Sequence, residues 1–207
     1  MVVEDTKLIG EEENVNRIAQ LDPAQATGRT KRLFDGVQAQ LGVVPNLFRV
    51  LGNAPAVLEA YLNFSGALAG ASFDAKLREQ IALTVAGSNL CGYCLSVHAF
   101  IGRRAGLSER EIADASHAIA ASAKTDAILK FARNVVVQRG EVSDADFQQA
   151  RTSGLADGEI VETVAHVALN IFTNYVNHVA RPVVDFPEVK LDQVDLNTRS
   201  CLPSCGV

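Results

Sequence analysis

Between Pro55 and Pro182 the chain contains no proline, and that absence constrains its fold more than any other feature. Nothing in the stretch interrupts a helical hydrogen-bond ladder as proline does. Glycines recur through it at Gly66, Gly70, Gly87, Gly92, Gly102, Gly106, Gly140, Gly154 and Gly158. Long helices joined by short turns fit both facts. Alanine supplies 29 of the 207 residues, and apolar positions repeat at three and four residues instead of alternating. No run of strands is evident, so the expected class is all-α.

The periodicity places the helices. Leu33, Phe34, Val37 and Leu41 form one stripe, and Leu58, Tyr61, Leu62 and Leu68 another. Asp74 is the expected N-cap of a helix carrying Leu77, Ile81, Thr84 and Val85 and ending near Gly87-Ser88-Asn89. A second helix opens near Cys91 and runs to about Ala105, with Gly106 as its stop. Ser108 and Glu111 spell a capping box before Ile112, Ala115 and Ile119. A stripe at Ile128, Ala132 and Val135 follows, and then a short helix capped by Ser143 that reaches Thr152. The last helix starts at Asp157. Ile160, Val164, Val167, Ile171, Tyr175 and Val179 mark one face, and Glu162, His166, Asn170 and Asn174 a second, which predicts a helix between a core and a polar pocket or subunit contact.

Length and composition exclude whole classes. A chain of 207 residues with 48% apolar content is neither disordered nor a small disulfide scaffold. With 19 basic against 24 acidic residues and a net charge of -5, it has no basic excess for nucleic acid or an anionic membrane. The uncharged run from Gln80 to Gly102 is about as long as a membrane span. It contains Ser88, Asn89, Cys91, Cys94, Ser96 and His98, however, so a buried helix pair is expected instead. The first residues, Met1-Val2-Val3-Glu4-Asp5, lack the basic and apolar regions of a signal peptide, which predicts a cytoplasmic protein. The organisation reads as an extension over 1–13, one domain over 14–187, and a mobile tail over 188–207 carrying Cys201 and Cys205 as CxxxC.

In a reducing compartment four cysteines point to redox or metal chemistry rather than structural staples. The cluster that stands out is Glu79, then Cys91-Gly92-Tyr93-Cys94, then His98. A cysteine opening a helix lies near unpaired N–H groups and the positive end of the dipole, both of which favour thiolate. His98 lies four residues beyond Cys94, on the same helix face, where an imidazole can take the thiol proton and stabilise the anion. Glu79 joins them only if the turn at Ser88-Asn89 folds the two helices together. A c-type haem site needs His directly after the second cysteine, where Leu95 stands. A thioredoxin fold needs a strand before CxxC and a proline facing it, and neither is evident. Zinc remains an alternative, held by Cys91, Cys94 and His98, or by the first CxxC with Cys201 and Cys205. No cofactor or metal is expected on the redox reading. His117 and His178 read as surface or packing residues, and His166, four residues from Glu162 and from Asn170, reads as structural.

The segment from Arg78-Glu79-Gln80-Ile81 through Cys91-Gly92-Tyr93-Cys94-Leu95-Ser96-Val97-His98, with Gly106-Leu107-Ser108 after it, resembles the core of the alkylhydroperoxidase D-like, carboxymuconolactone decarboxylase superfamily. Its pattern is Glu, CxxC twelve positions on, and His four further. Weaker resemblance runs from Pro45-Asn46-Leu47-Phe48 to Ala180, and relatives of similar length are called peroxidase-related proteins. The resemblance implies an all-helical fold with the site on a two-helix CxxC core, assembling as homo-trimers or homo-hexamers. It implies that Cys94 attacks a hydroperoxide, Cys91 closes the disulfide, and Glu79 and His98 move the proton. Local physics alone would favour the helix-opening Cys91 as nucleophile. A lipoyl-protein or thioredoxin-like donor would restore the dithiol, and Cys201 and Cys205 raise the further idea of a tail dithiol passing electrons inward. Some family patterns carry His just before the second cysteine. Tyr93 stands there and, with a phenol pKa near 10, cannot act as a base at neutral pH. Two other classes fit the same residues: a carboxymuconolactone decarboxylase-like lyase using Glu79 and His98, and a non-enzymatic thiol redox sensor.

Overall fold

The computed structural model describes residues 16–190, and among these residues the secondary structure is entirely helical. The elements are α1 (Gly28–Leu41), α2 (Asn46–Leu51), α3 (Pro55–Ala69), α4 (Ala75–Ser88), α5 (Gly92–Arg104), α6 (Glu109–Ser116), α7 (Ala123–Val137), α8 (Asp144–Thr152) and α9 (Asp157–Ala180). The expected tail dithiol, Cys201 with Cys205, and the extension over 1–13 lie outside the described residues.

The caps show why the helices start where they do. The Asp74 carboxylate accepts from Leu77 N–H at 2.8 Å, which satisfies one of the amides left unpaired at the start of α4. Ser108 and Glu111 make the expected capping box, with Ser108 N–H donating to Glu111 at 2.8 Å. Ser122 and Ser143 cap α7 and α8. Pro55 occupies the first turn of α3, where its missing N–H costs nothing.

Helix α4 is the hub. Every residue from Gln80 to Gly87 is buried, because α5, α6, α7 and α9 all pack around it. This accounts for the uncharged run: the sequence is apolar on all sides because the helix is covered on all sides. The run from Gln80 to Gly102 is divided between α4 and α5, as a buried pair, and no helix among the described residues is long and apolar enough to cross a membrane. Thr84 donates its hydroxyl to the Ala115 carbonyl at 2.7 Å. One turn on, Gly87 lies against the Ser116 carbonyl so closely that a Cβ there would collide with it.

Two expectations need correction. Ile119 is not part of the helix begun at Ser108: α6 ends at Ser116, Ala118 turns into the left-handed region at φ 61°, and Ile119 is exposed. On α9, Ile160 and Val167 are buried as expected, but Val164, Tyr175 and Val179 face outward, with Tyr175 58% and Val179 60% exposed. The polar face is the one turned inward. Glu162 accepts from Phe73 N–H at 2.8 Å and from Ser72, and Asn174 accepts from Asn89 at 2.9 Å. These partners make polar burial tolerable, so hydrophobicity alone misassigns which side of α9 meets the core.

Replacing Gly87 with Ala forces a methyl group into the Ser116 carbonyl. The expected result is a loss of about 1–3 kcal/mol of unfolding free energy, the usual cost of overpacking, read from urea denaturation at unchanged m-value.

Candidate active site

The site begins with the turn between α4 and α5. Leu90 adopts the left-handed conformation at φ 56°, its N–H bonds to the Gly87 carbonyl at 3.1 Å, and the Cys91 N–H bonds to the Ala86 carbonyl at 2.9 Å. This is the Schellman closure of a helix, with leucine where glycine is usual. Cys91 then serves at once as N-cap of α5, its sulfur accepting from the Cys94 backbone N–H at 3.3 Å. One residue therefore ends α4 and starts α5, and the two helices fold back on each other with the CxxC at the bend.

That reversal brings Glu79 to His98. The carboxylate oxygen Oε2 lies 2.8 Å from His98 Nδ1, and both side chains are less than one-fifth exposed. Gly102, one turn beyond His98, faces the Cβ of Glu79 and so lets the helices approach at this level. The carboxylate on Nδ1 fixes the orientation of the ring, as a partner on one ring nitrogen does. Cys91, Cys94, His98 and Glu79 thus lie together on the α4–α5 pair.

Both thiols are free and buried, and they differ in charge preference. The Cys91 thiol is lowered from an ordinary cysteine, first by the hydrogen bond from Cys94, then, against the cost of burial, by the Cys94 N–H and the nearby His98. Cys94 is raised, first because it donates to Cys91 and then because it is buried, while Asn177 and Asn174 act in the opposite direction. Of the two, Cys91 is therefore the sulfur that more readily carries negative charge. Cys94 nevertheless is the sulfur that faces open space: it lines a cavity of about 440 Å³ together with His98, Tyr61, Tyr93 and Asn177, and Cys91 does not.

Four contributors escaped the sequence reading. Asn177, on the inward face of α9, donates to Cys94 Sγ at 3.1 Å, and its buried Oδ1 is left without a partner. Tyr61, from α3, sits beside the site, its phenol pushed up to about 12 by burial and then by Glu79 and Cys94. Asp185, in the segment after α9, accepts from the Tyr93 hydroxyl at 2.7 Å and from Asn46 N–H at 2.8 Å. Tyr93 is therefore a donor; burial raises its phenol further. Arg104, the last residue of α5, also lines the cavity. The asparagine spacing, three residues apart on the polar side of α9, was the available signal.

Other expected positions lie elsewhere. His166 is buried and stacked on Phe73, 3.9 Å from Glu162, and does not line the cavity; burial holds its pKa down. His178 contacts the Asn89 carbonyl at 3.0 Å and His117 that of Ala113 at 3.0 Å, both at the surface. Among the described residues no group of three or more His, Cys, Asp or Glu is arranged to hold a metal ion.

Residues 55–138 match the model of the carboxymuconolactone decarboxylase family. No curated protein matches the chain. Among solved structures, the alkylhydroperoxidase AhpD core of an uncharacterized peroxidase-related protein from Ralstonia eutropha JMP134 is similar with TM-score 0.71 at 24% identity, over 80% of this chain and 91% of that one. An uncharacterized peroxidase-related protein from Silicibacter sp. TM1040 is similar with TM-score 0.70 at 21% identity, over 88% and 95%. The debrominase Bmp8 is similar with TM-score 0.70 at 19% identity, over 83% and 93%. At these identities the likeness establishes the shared helical fold.

Cys94→Ala removes the donor that contributes most to the Cys91 thiolate. With Cys201 and Cys205 replaced by Ser in both proteins, the ultraviolet thiolate titration of that variant should show its one remaining thiol, Cys91, moved up towards, or beyond, an ordinary cysteine, compared with a first ionisation below it in the parent. An unchanged first ionisation would contradict the assignment of the charge to Cys91.

Proposed function

We propose that the chain, whose residues 55–138 match the carboxymuconolactone decarboxylase family, is a dithiol peroxidase of the alkylhydroperoxidase D-like kind, reducing organic hydroperoxides. The observation that carries the reading is the placement of Cys94 at the wall of an apolar cavity, hydrogen-bonded to a sulfur that can both take its proton and later replace it.

The Cys94 proton passes to the Cys91 sulfur. The Cys94 thiolate attacks the distal oxygen of ROOH, the O–O bond breaks, and its electron pair leaves with RO⁻. The proton that Cys91 gave up on becoming a thiolate is held by the His98–Glu79 pair, which delivers it to RO⁻ to make ROH, and Asn177 keeps the attacking sulfur aimed into the cavity. The sulfenic acid on Cys94 is attacked by Cys91, whose proton returns to the relay. The S–O bond breaks, hydroxide leaves and is protonated to water, and the disulfide forms. Dithiol and ROOH become disulfide, ROH and H₂O. A lipoyl-protein or thioredoxin-like dithiol then reopens the disulfide by exchange, and the cavity gives it access to Cys94. The outward apolar residues of α9, Val161, Val164, Tyr175 and Val179, suit the contacts of a homo-trimer or homo-hexamer.

The roles of the two sulfurs are separable. Cys91→Ser, treated with cumene hydroperoxide and dimedone, should accumulate the adduct on Cys94, whereas Cys94→Ser should lose turnover and give no adduct. An adduct on Cys91 instead would reverse the assignment. Activity towards a ring lactone that survives loss of both cysteines would favour the decarboxylase-like lyase. Slow turnover with a large change of assembly on oxidation would favour the sensor.

A further inference from the structure

Cys94, Val97, His98, Ile101 and Arg104 all line the cavity, and their spacing puts them on one face of α5. The cavity therefore runs along that helix. Ten residues separate the sulfur from the guanidinium, about 15 Å of helix axis at 1.5 Å per residue. Between them the walls are apolar, formed by Val97, Ile101, Leu47, Phe48, Phe100 and Phe186. A volume of about 440 Å³ is far more than hydrogen peroxide needs and matches an organic molecule of moderate size.

The two ends of this channel differ in charge. Arg104 lies over the Phe100 ring at 5.8 Å, which steadies its plane, and among the described residues it forms no ion pair, whereas its neighbour Arg103 is tied to Glu109. The cavity's one acid, Asp185, is already engaged by Tyr93 and by the Asn46 amide. An anion is thus favoured at the Arg104 end, in a protein whose net charge of -5 would otherwise repel it.

We propose that the site takes an elongated hydroperoxide bearing a terminal carboxylate, such as a fatty-acid hydroperoxide, with the carboxylate on Arg104 and the peroxide at Cys94. The inference rests on the dithiol reading and adds the substrate class to it. A planar guanidinium matches a carboxylate in two hydrogen bonds, the apolar wall covers the chain, and the distance between the two ends selects where along that chain the peroxide stands.

The test compares an acid with its ester. Binding of 13-hydroxyoctadecadienoic acid and of its methyl ester, probes without a peroxide bond, is measured on the full chain, alongside oxidation of Cys91 and Cys94 by the corresponding hydroperoxides. The acid should bind roughly tenfold tighter than the ester, the effect of one charge-assisted hydrogen bond. Arg104→Gln should abolish that ratio and Arg104→Lys should keep part of it. Equal affinities, or a preference that survives Arg104→Gln, would overturn the inference alone while oxidation of the thiols still supports the peroxidase. The expected preference without thiol oxidation would overturn the dithiol reading and the peroxide half of this one.

Discussion

The structure depends on a single reversal of the chain at Leu90 and Cys91. A helix end leaves carbonyls unpaired and a helix start leaves amides unpaired. Here both needs are met within two residues: the Cys91 N–H closes α4, and the Cys91 sulfur caps α5. The tight turn forces the helices antiparallel and face to face, which sets Glu79 beside His98 across nineteen residues of sequence. It also fixes one sulfur where amide dipoles favour negative charge. Leucine in the left-handed conformation at this bend costs about 1–2 kcal/mol, borne by the burial of α4 on every side.

The surroundings of the helix pair have a consistent logic. Helix α9 turns its polar side inward, so that Asn177 meets the Cys94 sulfur and Asn174 meets Asn89 at the bend. The chain after α9 crosses the cavity rim, with Asp185 bonded to Tyr93 and α2, Phe186 packed edge-on against Tyr93, and the Val189 N–H bonded to Ser96. Tyr93 therefore anchors the rim instead of moving protons. The thiols are left buried beside a mostly apolar cavity, where an unpaired charge is costly and a hydrogen bond between the two sulfurs lowers that cost.

Much of this was legible in the sequence. Proline absence and the three-four periodicity give the helices, and Asp74, Ser108 and Ser143 mark their starts because capping is local chemistry. The Cys94–His98 spacing gives a shared helix face for the same reason. What could not be read is what depends on distant partners. Asn177 and Asp185 gain meaning only through contacts 83 and 92 residues away. The outward turn of Tyr175 and Val179 follows from buried polar partners that no periodicity records. The resemblance pointed to Cys94 as nucleophile, while local physics favoured Cys91. In the structure these describe different properties: the Cys91 thiol is the one lowered by its neighbours, and Cys94 lines the cavity.

The central claim is that the Cys91–Cys94 pair reduces a hydroperoxide by two electrons. The most direct measurement gives the fully reduced protein one equivalent of cumene hydroperoxide and follows peptide mass and alcohol in the same sample. The account predicts that the peptide holding Cys91 and Cys94 loses two hydrogens as an equal amount of cumyl alcohol forms. Cysteines that stay reduced while the hydroperoxide persists, or alcohol formed without that loss, would contradict it.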